Sequence, residues 1–174
     1  MLKHTLKYLF PILIACLLLE NISIAQSTNC FANPSLEGTP IAHNVPAPWV
    51  GCYGTPDTQP GQWGITKAAS HGNTYVSFIR SGWIPNNWNE GMTQLLNPPL
   101  DSGTQYKFTV DLAHSNIYNT GLPGPCYSSL GVWGGMSACD TSQLLWTSGA
   151  FYDTCWAEYT VIFTPTSNWL YVSF

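Results

Sequence analysis

Apolar and polar positions alternate cleanly in two long segments. Tyr106, Phe108, Val110 and Leu112 are separated by Lys107, Thr109 and Asp111, and Ala157, Tyr159 and Val161 by Glu158 and Thr160, with Phe163 ending the segment. A period of two places each apolar set on one face of a strand. Asp101-Ser102-Gly103 before the first segment and Thr164-Pro165 after the second are turn and breaker signals. Residues 74–80 and 168–174 are rich in β-branched and aromatic side chains and predict two further strands. Residues 64–67, 92–96, 129–133 and 144–146 are shorter candidates. No segment keeps an apolar stripe at i, i+3, i+4, i+7 over three turns, so the pattern predicts about eight strands and no helix. That combination is an all-β antiparallel sandwich or barrel.

The first residues follow a different pattern. Lys3, His4 and Lys7 precede an apolar run from Tyr8 to Leu19, and Ser23-Ile24-Ala25 supplies the small residues of a cleavage site. The run is too short for the roughly 20 residues that span a bilayer. Residues 1–25 are therefore expected to be a signal peptide, with Gln26 opening an exported domain over residues 26–174. Leu13-Ile14-Ala15-Cys16 offers a lipobox alternative, but the apolar run continues beyond Cys16. At the other end, the pattern breaks off at Phe174 inside an apolar strand. A sheet cut there would expose an edge, so a longer chain with at least one further strand is expected.

Charge narrows the partners. Residues 26–174 carry Lys67, Arg80 and Lys107 against eight acidic residues, a net charge of −5. Nucleic acids and anionic membrane surfaces call for clustered cations, which this chain lacks. Five cysteines follow the signal peptide, and export permits disulfides. The shortest loops are Cys30–Cys52 and Cys126–Cys139, with Cys155 able to replace either partner of the second pair. No cysteine or histidine cluster has zinc spacing.

Three stretches resemble a known class of domain. Asn33-Pro34-Ser35-Leu36-Glu37 is similar to the opening motif of carbohydrate-binding-module and galactose-binding-like jelly rolls, with Leu36 where an aromatic is usual. Gln94 and Leu95, then Leu100, Gly103, Tyr106 and Phe108, resemble their central strand pair, and Trp156, Tyr159 and Phe163-Thr164-Pro165 their late strand. The segments 55–61 and 137–146 look like the N-terminal domains of Bacteroidetes secreted proteins whose chains end in gliding-motility-associated, type IX secretion sorting domains. The resemblance implies a jelly roll and a structural calcium ion held by Glu37, backbone carbonyls and an acid from a last strand. Carboxylate and carbonyl oxygens suit that cation.

Catalytic signatures are sparse. A glycosidase needs two carboxylates placed across a sugar bond, and no strand motif aligns such a pair. His43, His71 and His114 sit in neither HExxH nor a GxSxG context. The aromatics say more. Residues 80–90 gather Trp83 and Trp88 with Arg80, Asn86, Asn87, Asn89 and Glu90 between two strands. An exposed indole can stack on the apolar face of a sugar ring while amides bind its hydroxyls. Residues 131–135 and 53–63 are secondary candidates, and Trp49, Trp156 and Trp169 are expected in or beside the core. The expectation is a non-catalytic, secreted or cell-surface recognition domain that binds carbohydrate. The alternatives are an adhesive spacer without a small ligand and the accessory domain of a downstream enzyme.

Overall fold

The computed structural model describes residues 30–81, 88–117 and 127–174; the signal-peptide, lipobox and Cys126 expectations lie outside them. Every sheet pairing is antiparallel. The strands, in chain order, are β1 (Val50–Cys52), β2 (Asp57–Gln59), β3 (Tyr75–Ser77), β4 (Arg80–Ser81), β5 (Trp88–Asn89), β6 (Gly91–Leu100), β7 (Tyr106–Leu112), β8 (Gly131–Gly135), β9 (Gln143–Thr147), β10 (Ala157–Phe163) and β11 (Trp169–Ser173). Five of them form one sheet in the order β1-β6-β11-β8-β9, while β7 pairs with β10, β2 with β3 and β4 with β5. The helical content described is one 3-10 turn, Gln62–Gly64. The chain is thus an open, all-β antiparallel sandwich.

The long alternating segments do what their pattern predicts. Residues 106–112 and 157–163 pair in continuous register, Tyr106 opposite Phe163 and Leu112 opposite Ala157. Their apolar set meets the five-stranded sheet in a core of Leu96, Leu100, Val132, Val161, Phe163 and Val172. Tyr106 stacks on Phe163 at 5.6 Å, and Phe108 lies edge-on to it at 6.3 Å. A second cluster joins Val45, Trp49 and Met92, bridged to the first by Phe31 and Phe174. The apolar character of residues 168–174 follows from position, because β11 is the central strand of its sheet, paired on both sides. Phe174 continues that pairing, exchanging amide bonds of 2.8 and 3.0 Å with Met92.

Other elements depart from the pattern. β6 runs past Leu96 through Pro98-Pro99 to Leu100, and the five steps from Leu95 to Leu100 match only two steps of β11, from Tyr171 to Trp169. The prolines donate no ladder bond, and a bulge absorbs them. Residues 64–67 form no strand: Trp63 and Gly64 take positive φ values of 52° and 83°, which turn the chain. β2 is a wholly buried polar triplet that hydrophobic patterning cannot find. Burial of polar groups requires partners, and each has one. Asp57 Oδ1 accepts from the His43 amide at 2.8 Å, the Thr58 hydroxyl donates to Asn44 O at 2.9 Å, and Gln59 Nε2 donates to Ser77 Oγ at 3.0 Å.

The disulfide expectation needs correction. Cys52 is bonded to Cys139, with Cα atoms 5.5 Å apart across 87 residues of sequence, so the pairs Cys30–Cys52 and Cys126–Cys139 do not form. The reason lies in the sheet's outer face. Cys52, Thr93, Ser173 and Trp133 share that face through their register. The loop after β8 folds back across it, and Asp140 packs on Gly135, where a Cβ would stand 2.5 Å from the Asp140 Cβ. Ser173 Oγ, buried beneath, hydrogen-bonds Thr93 Oγ1 at 3.0 Å and lies 3.5 Å from Asp140 O. Residues 136–142 are thus a strap that the bridge pins to β1.

Candidate functional site

Register brings the candidate loops to one end of the sandwich. Cys52 stands opposite Gly91, Thr93 and Trp133 both stand opposite Ser173, and Gly131 stands opposite Thr147. The segments that follow Cys52 and Thr147 and precede Gly91 and Gly131 therefore leave the sheet together. His114, just past β7, joins them. Its amide donates to Asp153 O at 2.7 Å, and its Nδ1 lies 2.7 Å from Ser128 Oγ.

The hairpin singled out by sequence hangs from this end. Arg80 pairs with Asn89 and Ser81 with Trp88. Arg80 and Asn89 are both exposed, side by side at the hairpin foot. Trp83, Asn86, Asn87 and the Trp88 side chain lie outside the described residues.

Glu90, directly after β5, fixes that foot. The residue is 8% exposed. Its Oε2 accepts from the Ile79 amide at 2.8 Å and its Oε1 from the Thr55 amide at 3.1 Å, while its own amide donates to Ile79 O at 3.1 Å. One carboxylate thus joins the strand entering the hairpin to the turn after β1. Gly54 is fitted to it: its φ is +66°, and a Cβ there would lie 2.6 Å from Glu90 Cγ. Burial pushes the Glu90 carboxyl above the usual range and the nearby Asp57 charge adds to the shift, against the pull of the two amide bonds. Sequence alone marked Glu90 only as one acid in a promising segment.

Glu37 ties the opening motif to a neighbouring turn. Its Oε1 accepts from the Asn73 amide at 2.9 Å, and Asn33 closes the local turn by accepting from the Glu37 amide at 3.0 Å and donating to Glu37 O at 2.9 Å. Asn33 Nδ2 also reaches Ala47 O at 3.0 Å, and the Trp49 indole donates to Asn33 O at 3.0 Å. The opening motif is therefore a latch that ties residues 33–37 to the 72–74 turn and the 45–49 segment. Among the described residues no group of three or more acid, histidine or cysteine side chains gathers to hold a metal ion.

None of the six tryptophans whose side chains are described is exposed. Trp49 is in the core as expected. Trp156 is half-buried, its indole donating to Ala68 O at 2.9 Å with Lys67 Nζ 5.8 Å from its ring centroid. Trp169 donates to Gln143 Oε1 at 2.8 Å, and Trp133 is half-buried on the outer sheet face. The exposed rings are tyrosines, and sequence reasoning built on indoles passed over two of them. Among the described large apolar side chains the three most exposed are Tyr152 at 65%, Tyr53 at 60% and Tyr127 at 58%. Each is in a segment that leaves the sheet at the hairpin's end. Isolated tyrosines in Ser/Gly-rich turns carry little periodic signal, so only their shared location could have singled them out.

Two groupings approach catalytic chemistry without completing it. Ser70, His71 and Asp111 come together, but the Ser70 hydroxyl and His71 Nδ1 both contact Asp111 Oδ2, at 2.7 and 3.0 Å. A relay needs the histidine between acid and hydroxyl, and here the acid is in the middle. His114 Nδ1 and Ser128 Oγ are in contact, yet among the described residues no acid lies against the ring's other nitrogen to complete a relay. No protein-family model matches this chain, and no curated protein matches it either.

Proposed function

We propose that this chain is a non-catalytic recognition domain of an exported or cell-surface protein, and that it binds a carbohydrate through the hairpin spanning β4 and β5. The observation that carries this reading is the hairpin foot. Arg80 and Asn89 stand exposed and adjacent, on a base held by the buried Glu90 carboxylate. Loops on a rigid β scaffold are where recognition is usually placed, and a fixed foot lowers the ordering cost of binding. In this reading Trp83 or Trp88 stacks on a sugar ring while Arg80, Asn86, Asn87 and Asn89 bind its hydroxyls. In this reading the affinity is modest, because a shallow contact buries little area. Calcium at Glu37 is a separate proposal with a structural role only; a thermal midpoint that EDTA leaves unchanged removes it.

Glycan-array binding of the exported chain, repeated with Trp83→Ala and Trp88→Ala, tests the proposal. Binding that either substitution weakens at least tenfold supports it. An array with no bound glycan favours the adhesive or spacer alternative, in which the exposed rings meet another protein. A secreted destination and a type IX sorting signal remain proposals of the same kind. They are checked by locating the protein in cell and culture fractions.

A further inference from the structure

Two of the exposed tyrosines form a unit. The rings of Tyr127 and Tyr152 meet edge to face, with centroids 6.2 Å apart and planes at 66°. Behind them Phe151 contacts Tyr159, and Tyr159 contacts Trp146, at 5.7 and 6.4 Å. The backbone under the pair is fixed. Ser128 and Phe151 exchange two amide bonds of 2.9 and 2.8 Å, the His114 amide donates to Asp153 O, and Asp153 Oδ1 accepts from the Cys155 amide at 2.8 Å. Tyrosines this exposed, yet standing on doubly bonded backbone, lose little freedom on contact with a ligand.

We propose that Tyr127 and Tyr152 form a second sugar-contacting subsite, at the same end of the sandwich as the hairpin. This end would then bind successive units of a neutral oligosaccharide rather than a single ring. The inference rests on the carbohydrate reading above and deepens it. The edge-to-face pair offers a ring face for an apolar sugar surface and two phenolic hydroxyls for its polar rim. Asp153 and the chain's negative balance favour an uncharged glycan over a uronate or sulfated one. The loops that carry the tyrosines reach the β8 and β9 ends, whereas the hairpin precedes β6. Two subsites on different strands at one end of the sheet require a ligand long enough to touch both.

Calorimetric titration with neutral gluco-, manno-, xylo- and galacto-oligosaccharides of increasing length tests this, with glucuronate oligomers as the acidic arm. For the wild type, affinity rises with length and the acidic series binds more weakly than the neutral ones. The double substitution Tyr127→Ala/Tyr152→Ala keeps wild-type affinity for the shortest ligand that binds but loses the gain on extension, on the order of tenfold. Tyr127→Phe/Tyr152→Phe keeps most of that gain and controls for fold. The subsite is overturned if the alanine variant binds every length as the wild type does, or if wild-type affinity is flat with length. Loss on alanine substitution with no effect of Trp83→Ala and Trp88→Ala keeps the tyrosine subsite and removes the hairpin reading. A wild type that binds none of the oligosaccharides overturns both.

Discussion

The strap and the hairpin foot fasten loops to one sheet by opposite means. The strap, residues 136–142, is fastened by a covalent bond between Cys139 and Cys52 and by Asp140, whose carboxylate accepts from the Met136 amide at 2.9 Å and the Ser142 hydroxyl at 2.6 Å. The foot is fastened by one buried carboxylate, Glu90, with no ion-pair partner among the described residues. Asp140 is only half-buried, and the Ser142 hydroxyl and Met136 amide hold its carboxyl below the usual range. Glu90 is buried, and desolvation outweighs its amide bonds and holds its carboxyl above that range. A carboxylate that only accepts bonds is stabilised by them, and one that must also leave water is destabilised by the move. The two regions should therefore respond differently to reduction, mutation and acid.

Reduction should separate them most. The bridge closes a loop of 87 residues, worth about 4–5 kcal/mol in the chain-entropy model. Cys52→Ser/Cys139→Ser should lower the thermal midpoint by roughly 10–20 °C. Amide exchange should rise across 136–142 and over Thr93 and Ser173, while residues 79–81 and 88–90 keep their protection at temperatures where the variant is folded. Equal loss of protection at both places would show that strap and foot form one cooperative unit.

Removing the Glu90 carboxylate should reverse the pattern. Glu90→Ala leaves the Thr55 and Ile79 amides without their acceptor in a poorly hydrated place, at a cost of about 2–4 kcal/mol. Exchange should rise at 79–81 and 54–56 and stay low in the strap. Glu90→Gln keeps one acceptor oxygen and relieves the charge beside Asp57, so it should cost much less than the alanine. If glycan binding falls in the alanine variant at temperatures where it is folded, Glu90 is a positioning residue for the hairpin.

Acid should separate the regions by sign. Glu90 has a raised folded-state value, so the native state holds its proton more tightly than the unfolded chain. Stability should rise as pH falls from neutral toward the ordinary carboxylate range, about pH 4–5. Asp140 has a lowered value, so its contribution is present above that range and is lost as pH falls further, through its own depressed value. Denaturant midpoints against pH should show the first slope vanish in Glu90→Gln and the second weaken in Asp140→Asn. A first slope that survives Glu90→Gln would assign it to another group.

How legible each region was in sequence follows from how it is held. β7 and β10 could be read because one face is apolar and the other polar, apart from Ile162, over seven residues each, a signal that position in the sheet reinforces. β2 could not, because Asp57-Thr58-Gln59 is buried by hydrogen bonds to loops far along the chain. The Pro98-Pro99 part of β6 was hidden by residues that normally end strands. The bridge was misassigned because sequence separation favours short loops, whereas pairing depends on which side chains share a sheet face. At the candidate site, the hairpin's composition was visible, but the role of Glu90 and the grouping of Tyr127 with Tyr152 depend on register. Local pattern reports a residue's face; it does not report which distant turn meets that face.

The smallest expected effect tests where the two regions touch. Tyr53 follows β1 on the turn that Glu90 holds at Thr55, and its hydroxyl donates to Cys139 O at 3.0 Å. It is the one described side chain that links the foot's turn to the strap by a hydrogen bond. Its ring is mostly exposed, so Tyr53→Phe should cost only about 0.5 kcal/mol. If the regions are independent, that small loss is the same in wild type and in Cys52→Ser/Cys139→Ser, because nothing else depends on the bond. If the tyrosine transmits order between them, the loss grows in the variant lacking the bridge, where the hydroxyl is the remaining tether between the turn and residue 139. A double-mutant cycle on denaturant midpoints separates these outcomes, with a coupling above about 0.5 kcal/mol marking transmission. The sharper sign would be regional. Tyr53→Phe added to the bridge-less chain would then raise exchange at 79–81, across the turn that Glu90 holds at Thr55.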